Sequence, residues 1–322
     1  MTSGISQRFP SYGELVRFAL MTEPQLGGGY DDLSWAARAA ERAGLEAFAR
    51  SDHYYWRGGG DPQPATEAFS SLGGIARETS RVRLAVLVSP ITFRHPSFIV
   101  KAAATLDEMS GGRFDLGLGT GWMEAEHEAY GIDFPPRKER FARLEDALGY
   151  VRAAFTGEPY KGDFYNTSAV SYPRPSGLRI IVGGTGTERT PSLAGRFADE
   201  FNVSSGPYTN LETRFDLVRE SAQAAGRNPH EITISVMGPA IVAENQASLD
   251  RLLTDAAAFR NVSVPALVER WREAHVPFGV VGEVADAFGR LAEAGVQKYY
   301  LQWWRIADHD GIDRLVNVAR DL

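Results

Sequence analysis

The sequence predicts an α/β fold, a (β/α)8 TIM barrel with insertions, built as one domain over residues 1–322. Three observations carry this: eight short apolar segments, a helix-patterned segment after each, and a length that fits such a barrel with insertions. Near-continuous apolar runs are what a parallel sheet buried on both faces requires. An open doubly wound sheet is the alternative architecture.

The units follow in order. LVRFAL (15–20) is the first strand, and DDLSWAARAAERAG (31–44) is its helix, closed by Gly44. LEAFAR (45–50) is the second strand, with the polar loop SDHYYWRGGGDPQP (51–64) and a helix over 66–80 behind it. VRLAVLVSP (82–90) is the third strand and 95–112 its helix. RFDLGLG (113–119) is the fourth; KERFARLEDALGYVRAAF (138–155) then carries apolar residues at helical spacing. The Tyr-, Pro- and Gly-rich stretch 159–177 reads as an insertion. LRIIVGG (178–184) and ERTPSLAGRFA (188–198) form the fifth unit, with Pro191 in the first helical turn. DEFNVSS and a helix over 210–226 form the sixth. ITISVMGPAIVA (232–243) is the seventh strand, and residues 247–275 read as a helical insertion before the helix at 281–295. KYYLQWW (298–304) and a helix from 311 close the chain.

Composition narrows the function. A net charge of −7 argues against a general nucleic-acid or anionic-membrane binder. The absence of cysteine removes disulfides, thiol nucleophiles and thiolate metal ligands. No apolar run reaches the length of a membrane span. The start, MTSGISQRFPSYGE, does not read as a signal peptide, so a cytoplasmic location is expected. His53, His95, His127, His230, His275 and His309 show no i, i+4 pair, and no metal site is expected. There is no nucleophile elbow, no Walker loop and no Rossmann glycine fingerprint.

A barrel of this kind places its chemistry at the carboxyl ends of the strands. Asp52-His53 ends the second strand. Asp can simply cap a turn there; His is also the side chain best suited to move a proton near neutral pH. Ser89-Pro90 ends the third strand and reads equally as a proline stop. In RFDLGLGTGWMEAEHEAYG the fourth strand runs into Gly119, Thr120, Gly121 and Trp122, and glycine lets a backbone approach another surface closely. Glu124, Glu126 and His127 follow, and a solvated acidic helix start is the expected reading for them. Gly183, Gly184, Thr185 and Gly186 lie between a strand and a helix N-terminus, a place where free backbone N–H groups can cradle a phosphate.

SDHYYW, SPITFRHP, GLGTGWMEAEHEAYGIDFPPRKERFARLEDAL and VGGTG, in this order at four successive strand ends, resemble the luciferase-like flavin and deazaflavin oxidoreductases. The glycine-tryptophan segment is most similar to the branch that uses coenzyme F420. The resemblance spans almost the whole chain. It implies a hydride carrier across the strand ends, F420 first and FMN as the alternative, with a small-molecule substrate and a homodimer. It gives His53 the acid/base role. Asp52, Trp56, Ser89, Pro90, Gly119, Thr120, Gly121, Trp122 and Gly183 to Gly186 become cofactor contacts, with Tyr54 or Tyr55 in reserve for Trp56. It also implies a cis, non-proline peptide around Val86-Leu87-Val88. Cations for the acidic cofactor tail are sought among Arg57, Arg94, Arg189 and Lys161. The sugar-phosphate dehydrogenases of the family carry a catalytic Glu where Trp122 stands, so their substrate does not transfer. Many relatives have Asn where Met123 stands. A monooxygenase using reduced FMN and oxygen, and a non-catalytic flavin-binding barrel, are the alternative functions.

Overall fold

Eight parallel strands close into a barrel in the computed structural model, which describes residues 16–56, 65–168, 173–204 and 206–322. Strand β1 (Arg17–Thr22) leads to α1 (Tyr30–Ala43), β2 (Ala47–Arg50) to α2 (Ala68–Glu78), and β3 (Arg83–Pro90) to α3 (Pro96–Ser110). After β4 (Phe114–Gly119) come the short α4 (Glu124–Tyr130) and the long α5 (Arg137–Thr156). A two-stranded antiparallel hairpin follows, β5 (Tyr160–Lys161) and β6 (Asn166–Thr167). Then β7 (Arg179–Gly184) leads to α6 (Arg189–Phe197), and β8 (Glu200–Ser204) to α7 (Leu211–Ala224). The remaining elements are β9 (Thr233–Pro239), β10 (Ile241–Ala243), α8 (Gln246–Phe259), α9 (Val264–Glu273), β11 (Phe278–Val280), α10 (Val281–Glu293), β12 (Lys298–Trp303) and α11 (His309–Asp321). Around the barrel the order is β1-β12-β9-β8-β7-β4-β3-β2.

The eight expected strands are the eight staves, and the expected closed barrel replaces the open sheet. Helices bury small apolar faces against the staves, as Leu33, Ala36, Ala37 and Ala40 do in α1. Left-handed Gly44 and Gly111 end α1 and α3. One expected strand divides. The run 232–243 breaks after Pro239, which has no N–H to extend the ladder, and β10 leaves to pair with β11. The stretch 159–177 holds the small hairpin. Buried Asp146 fixes it by accepting from the N–H of Phe164 (2.6 Å) and Tyr165 (2.8 Å) and the Tyr160 hydroxyl (2.6 Å). Residues 247–275 hold α8 and α9.

The inside of the barrel is layered. Its floor is charged. Every stave except β9 begins on or beside an ionised side chain: Arg17, Glu46, Arg83, Asp115, Arg179, Glu200 and Lys298. Asp115 is gripped by Arg83 (Nε 3.0 Å) and Arg179 (Nη2 2.9 Å). Glu46 takes Arg17 (2.8 Å) and Lys298 (3.1 Å), and Lys298 also meets Glu200 at 2.5 Å. Burial opposes ionisation of Asp115, but the two arginines outweigh it and hold its carboxyl below the ordinary range. The same balance, with Lys298 and Arg17 as the leading cations, lowers Glu46. Above the floor lie Ala19, Ala47, Ala49, Ala85, Leu87, Ile181 and the ring of Tyr300. This layer is small and apolar except for the Tyr300 hydroxyl, which accepts from Lys298 (3.2 Å).

Lys298→Met should destabilise the protein by about 3–5 kcal/mol in chemical denaturation, because it takes the cation from buried Glu200, while Glu46 keeps Arg17 and Arg179. The depressed Asp115 and Glu46 contribute stability above the unfolded carboxylate pKa of about 4, lost as pH falls through the folded values. The urea midpoint of the wild type should therefore drop on acidification, and that of Asp115→Asn less so.

Candidate active site

His53 and Asp52 are adjacent in sequence but serve different neighbours. The His53 ring lies just beyond the end of β2, half-buried, with Nδ1 2.9 Å from Oε1 of Glu126 on α4. Glu126 is buried, and its other oxygen accepts from the Tyr54 N–H at 3.1 Å. Burial disfavours the imidazolium, but the hydrogen bond and charge of Glu126 prevail and the His53 pKa is raised. Glu23, at the end of β1, adds to that pull. Nδ1 is committed to Glu126, which leaves Nε2 as the exchangeable ring atom. The ring meets Trp122 edge-on at 5.6 Å, and Trp56 stands 6.4 Å from Trp122. Both indoles are exposed, 65 % for Trp122 and 40 % for Trp56, so two large apolar faces look into open space beside the imidazole.

Asp52 turns the other way. Its fully buried carboxylate is clasped by Arg94, whose Nη2 lies 3.0 Å from Oδ1. Arg94 also donates to Glu67 (2.6 Å) and to the Ser89 hydroxyl (3.2 Å). Burial works against the Arg94 charge, yet attraction to Asp52 wins and its pKa is raised. Arg94 is thus spent inside the protein, and the expectation that it serves an anionic tail is corrected. Ser89 and Pro90 are wholly or nearly buried under this network. Tyr54 stacks on Phe93 at 4.4 Å, and burial pushes its hydroxyl up to about 12.

The glycines of β4 have a nearer occupant than the one expected. The Leu87–Val88 peptide is cis, where the family resemblance implied one. Pairing of β3 with β4 shifts between Val86 and Ser89, and the Val88 side chain lies against three glycines. A Cβ on Gly117 would sit 2.9 Å from a Val88 methyl and 2.2 Å from the Val86 carbonyl oxygen. On Gly119 and Gly183 it would sit 2.7 Å and 2.9 Å from Val88 methyls. Such distances exclude a side chain. Gly119 and Gly183 therefore seat the chain's own valine. Val88 is half-buried and caps the barrel core, forming the base of the mouth. Gly121, at φ +73°, turns the chain out of β4 under Thr120 and Trp122.

The Gly183–Gly186 loop connects β7 to α6, as expected. Thr185 is exposed, and buried Thr190 underlies the loop: a Cβ on Gly186 would lie 2.4 Å from its hydroxyl. Glu188 makes no side-chain cap at the start of α6, and Pro191 brings no N–H to its first turn. Arg189 is exposed and stacks on Phe141 at 5.5 Å; Lys161 is exposed on the hairpin. Arg57 lies outside the described residues. Arg214 on α7 is buried with its Nε unpartnered.

Two acidic-helix expectations are overturned. Glu126 and His127 are buried, not solvated, while Glu124 is exposed. His127 is paired with Thr92 (2.7 Å) and the Met123 carbonyl (2.8 Å), a packing role under the loop. Sequence reading also passed over Glu23, which accepts from Gln25 (2.7 Å) and Gln302 (2.6 Å) and ties β1 to β12 at the mouth. Among the described residues no group of His, Asp and Glu could hold a metal, and no helix is long and apolar enough to cross a membrane.

The family model for luciferase-like monooxygenases matches residues 14–310, and the chain belongs to that family. It is similar to the F420-dependent glucose-6-phosphate dehydrogenase of Nakamurella multipartita, 36 % identical over 66 % of each chain, so it spans about two thirds of that relative's length. The enzyme of the same name from Mycolicibacterium gilvum is 31 % identical, over 78 % of this chain and 82 % of its own. A monooxygenase structure from Streptomyces bottropensis superposes with a TM-score of 0.78 at 21 % identity, covering 95 % of this chain and 98 % of that one, a likeness of fold.

Glu126→Gln removes the charge that sustains the imidazolium. The His53 pKa should fall, read as a shift of its imidazole resonances to lower pH in an NMR titration, with the circular dichroism unchanged.

Proposed function

We propose that the chain is an F420-dependent oxidoreductase that moves a hydride between the deazaflavin and a small organic substrate. The observation that carries the reading is the buried Glu126–His53 pair opening beside Trp122 and Trp56. The names of the relatives more than 30 % identical favour the deazaflavin, whereas the fold alone serves several chemistries. The residues present fit such a cofactor. A glycine loop leads into a helix whose N-terminus lacks a side-chain cap, and the buried Nε of Arg214 on the neighbouring helix has no acceptor.

When bound, F420 supplies a two-electron hydride acceptor or donor. The chain supplies the proton traffic that such a transfer needs when the reacting carbon bears oxygen or nitrogen. His53 Nε2 takes the proton on oxidation and returns it on reduction, while Glu126 stabilises the imidazolium and fixes the ring. Trp122 and Trp56 wall off water and favour an apolar or aromatic substrate body. Thr120, Gly121 and the 183–186 loop flank the cofactor in this reading. Asp52, Ser89 and Pro90 act beneath it by fixing the strand ends. The insertions near 159–177 and 247–275 shape the mouth, and a cytoplasmic homodimer is part of the same proposal.

Two measurements test this. Oxidised F420 should bind at least tenfold more tightly than FMN, about 1.4 kcal/mol; equal or tighter FMN binding would transfer the protein to the flavin monooxygenases. His53→Ala should lower turnover by about 10²–10⁴-fold while F420 affinity changes far less. Joint collapse of both would make His53 a wall of the binding site and not the proton carrier.

A further inference from the structure

A cavity of about 850 Å³ opens among α7, α8, α9, β11 and α10, and it shares no lining residue with the candidate active site. Tyr208 forms its inner wall. That ring meets Tyr299 edge-on at 6.1 Å, in the core on the helix side of the staves. Tyr300, the next residue of β12, points the opposite way into the lumen layer. The cavity therefore lies outside the barrel. Its wall is held in place. The Tyr208 hydroxyl donates to the Met237 carbonyl at 2.9 Å, and the Tyr208 N–H donates to the Ala274 carbonyl at 3.0 Å. A pre-formed wall is what a small-molecule site requires.

The lining is aliphatic by sequence pattern. On α10, Glu283, Ala287, Arg290, Leu291 and Ala294 recur at helical spacing and face the cavity, while Val284 and Phe288 are buried on the barrel side. Leu249 and Leu253 of α8 and Val264 and Val268 of α9 complete the floor.

Two arginines border this floor, Arg272 at the end of α9 and Arg290 near the end of α10, both exposed. Each stands in the last turn of its helix, where the helix dipole favours a cation. The dipole does not explain why both border one aliphatic cavity without a counter-ion: among the described residues, neither makes an ion pair or a side-chain hydrogen bond. The acids on the same lining are already engaged. Asp250 accepts from the Gln246 side chain at 2.8 Å, and Glu283 accepts from the Val280 N–H at 3.0 Å as it caps α10. These two carboxylates also disfavour a second negative charge, so a monoanion suits the cavity better than a phosphate dianion.

We propose that this cavity is a second ligand site, for an organic carboxylate with an aliphatic body. The occupant is a medium-chain fatty acid whose chain lies on the leucines and valines and whose head is held by Arg272 and Arg290. Guanidinium matches a carboxylate with two parallel donors. The α10 face from Glu283 to Ala294 is about 16 Å long, longer than an extended decanoate. The volume is that of a small-molecule site, roughly 300–1,000 Å³. Nothing in this assignment depends on the cofactor.

Calorimetric titration with decanoate and with decanol, its uncharged counterpart, tests the site. Wild type should bind one decanoate per chain, about tenfold more tightly than the alcohol. The double variant Arg272→Gln/Arg290→Gln should lose that preference while binding the alcohol as before. Ala287→Phe, which fills the cavity from α10, should abolish binding of both, with its melting temperature checking the fold. Trp122→Ala, at the barrel mouth, should bind decanoate as wild type does. The proposal is overturned by the absence of saturable decanoate binding, by an alcohol bound as tightly as the acid, or by unchanged decanoate affinity in either cavity variant. It also falls if Trp122→Ala loses decanoate, which would seat the chain at the mouth. The arginine variant changes only exposed side chains, so it decides the matter even where Ala287→Phe does not fold.

Discussion

The pairing of charges across the barrel floor is the constraint on which the remaining structure rests. Asp115 bridges three staves by holding Arg83 and Arg179, and Lys298 joins β12 to β8 and to the start of β2. Each partner belongs to a different strand, so each pair fixes one strand's height relative to another. A slip of one residue would turn these groups out of the barrel and bring apolar side chains in. Removing Asp115 or Lys298 takes a counter-charge from its partners, Arg83 and Arg179 in the first case and buried Glu200 in the second. With register set at the floor, the opposite ends of the staves meet in a defined arrangement, and only part of the polar groups there is needed to hold it.

That freedom is used at the mouth. Polar groups there divide into two sets. One set is internally satisfied: Asp52, Arg94, Glu67 and Ser89 form a closed network, as do Glu23, Gln25 and Gln302. These groups brace the strand ends. The other set has capacity left over, namely Nε2 of His53, unpartnered among the described residues, the exposed indoles of Trp122 and Trp56, and the start of α6, which has no side-chain cap. A rigid scaffold carrying a few unsatisfied groups is what a binding site requires.

The fold was legible because its signals are local. Apolar runs, terminal glycines and helical spacing each declare themselves within a dozen residues, and eight repeats of one unit leave little choice of architecture. The one divided strand carried its own signal, Pro239, inside an otherwise continuous apolar run. The site was legible only in part. His53 announced itself by type and position, but its partner Glu126 is 73 residues away, on a helix whose composition reads as solvated. Arg214 resembles any arginine in an amphipathic helix until the packing of α6 against α7 buries it. Contacts made by folding, between residues with no fixed spacing, are the part that periodicity cannot show.

The valine of the third strand and the glycines of the fourth and fifth form a lock of one bulky residue and three absent side chains. Seen as a unit of inheritance, these positions are bound to one another: a larger residue at Gly117 would be tolerated only if both the valine and the backbone behind it moved. A glycine pattern of this kind therefore marks a backbone shape before it marks a ligand. In this chain the pattern fixes the internal shape that closes the barrel beneath the mouth and leaves open what stands above it. The glycines set architecture, while the choice of chemistry is written in the side chains at the rim.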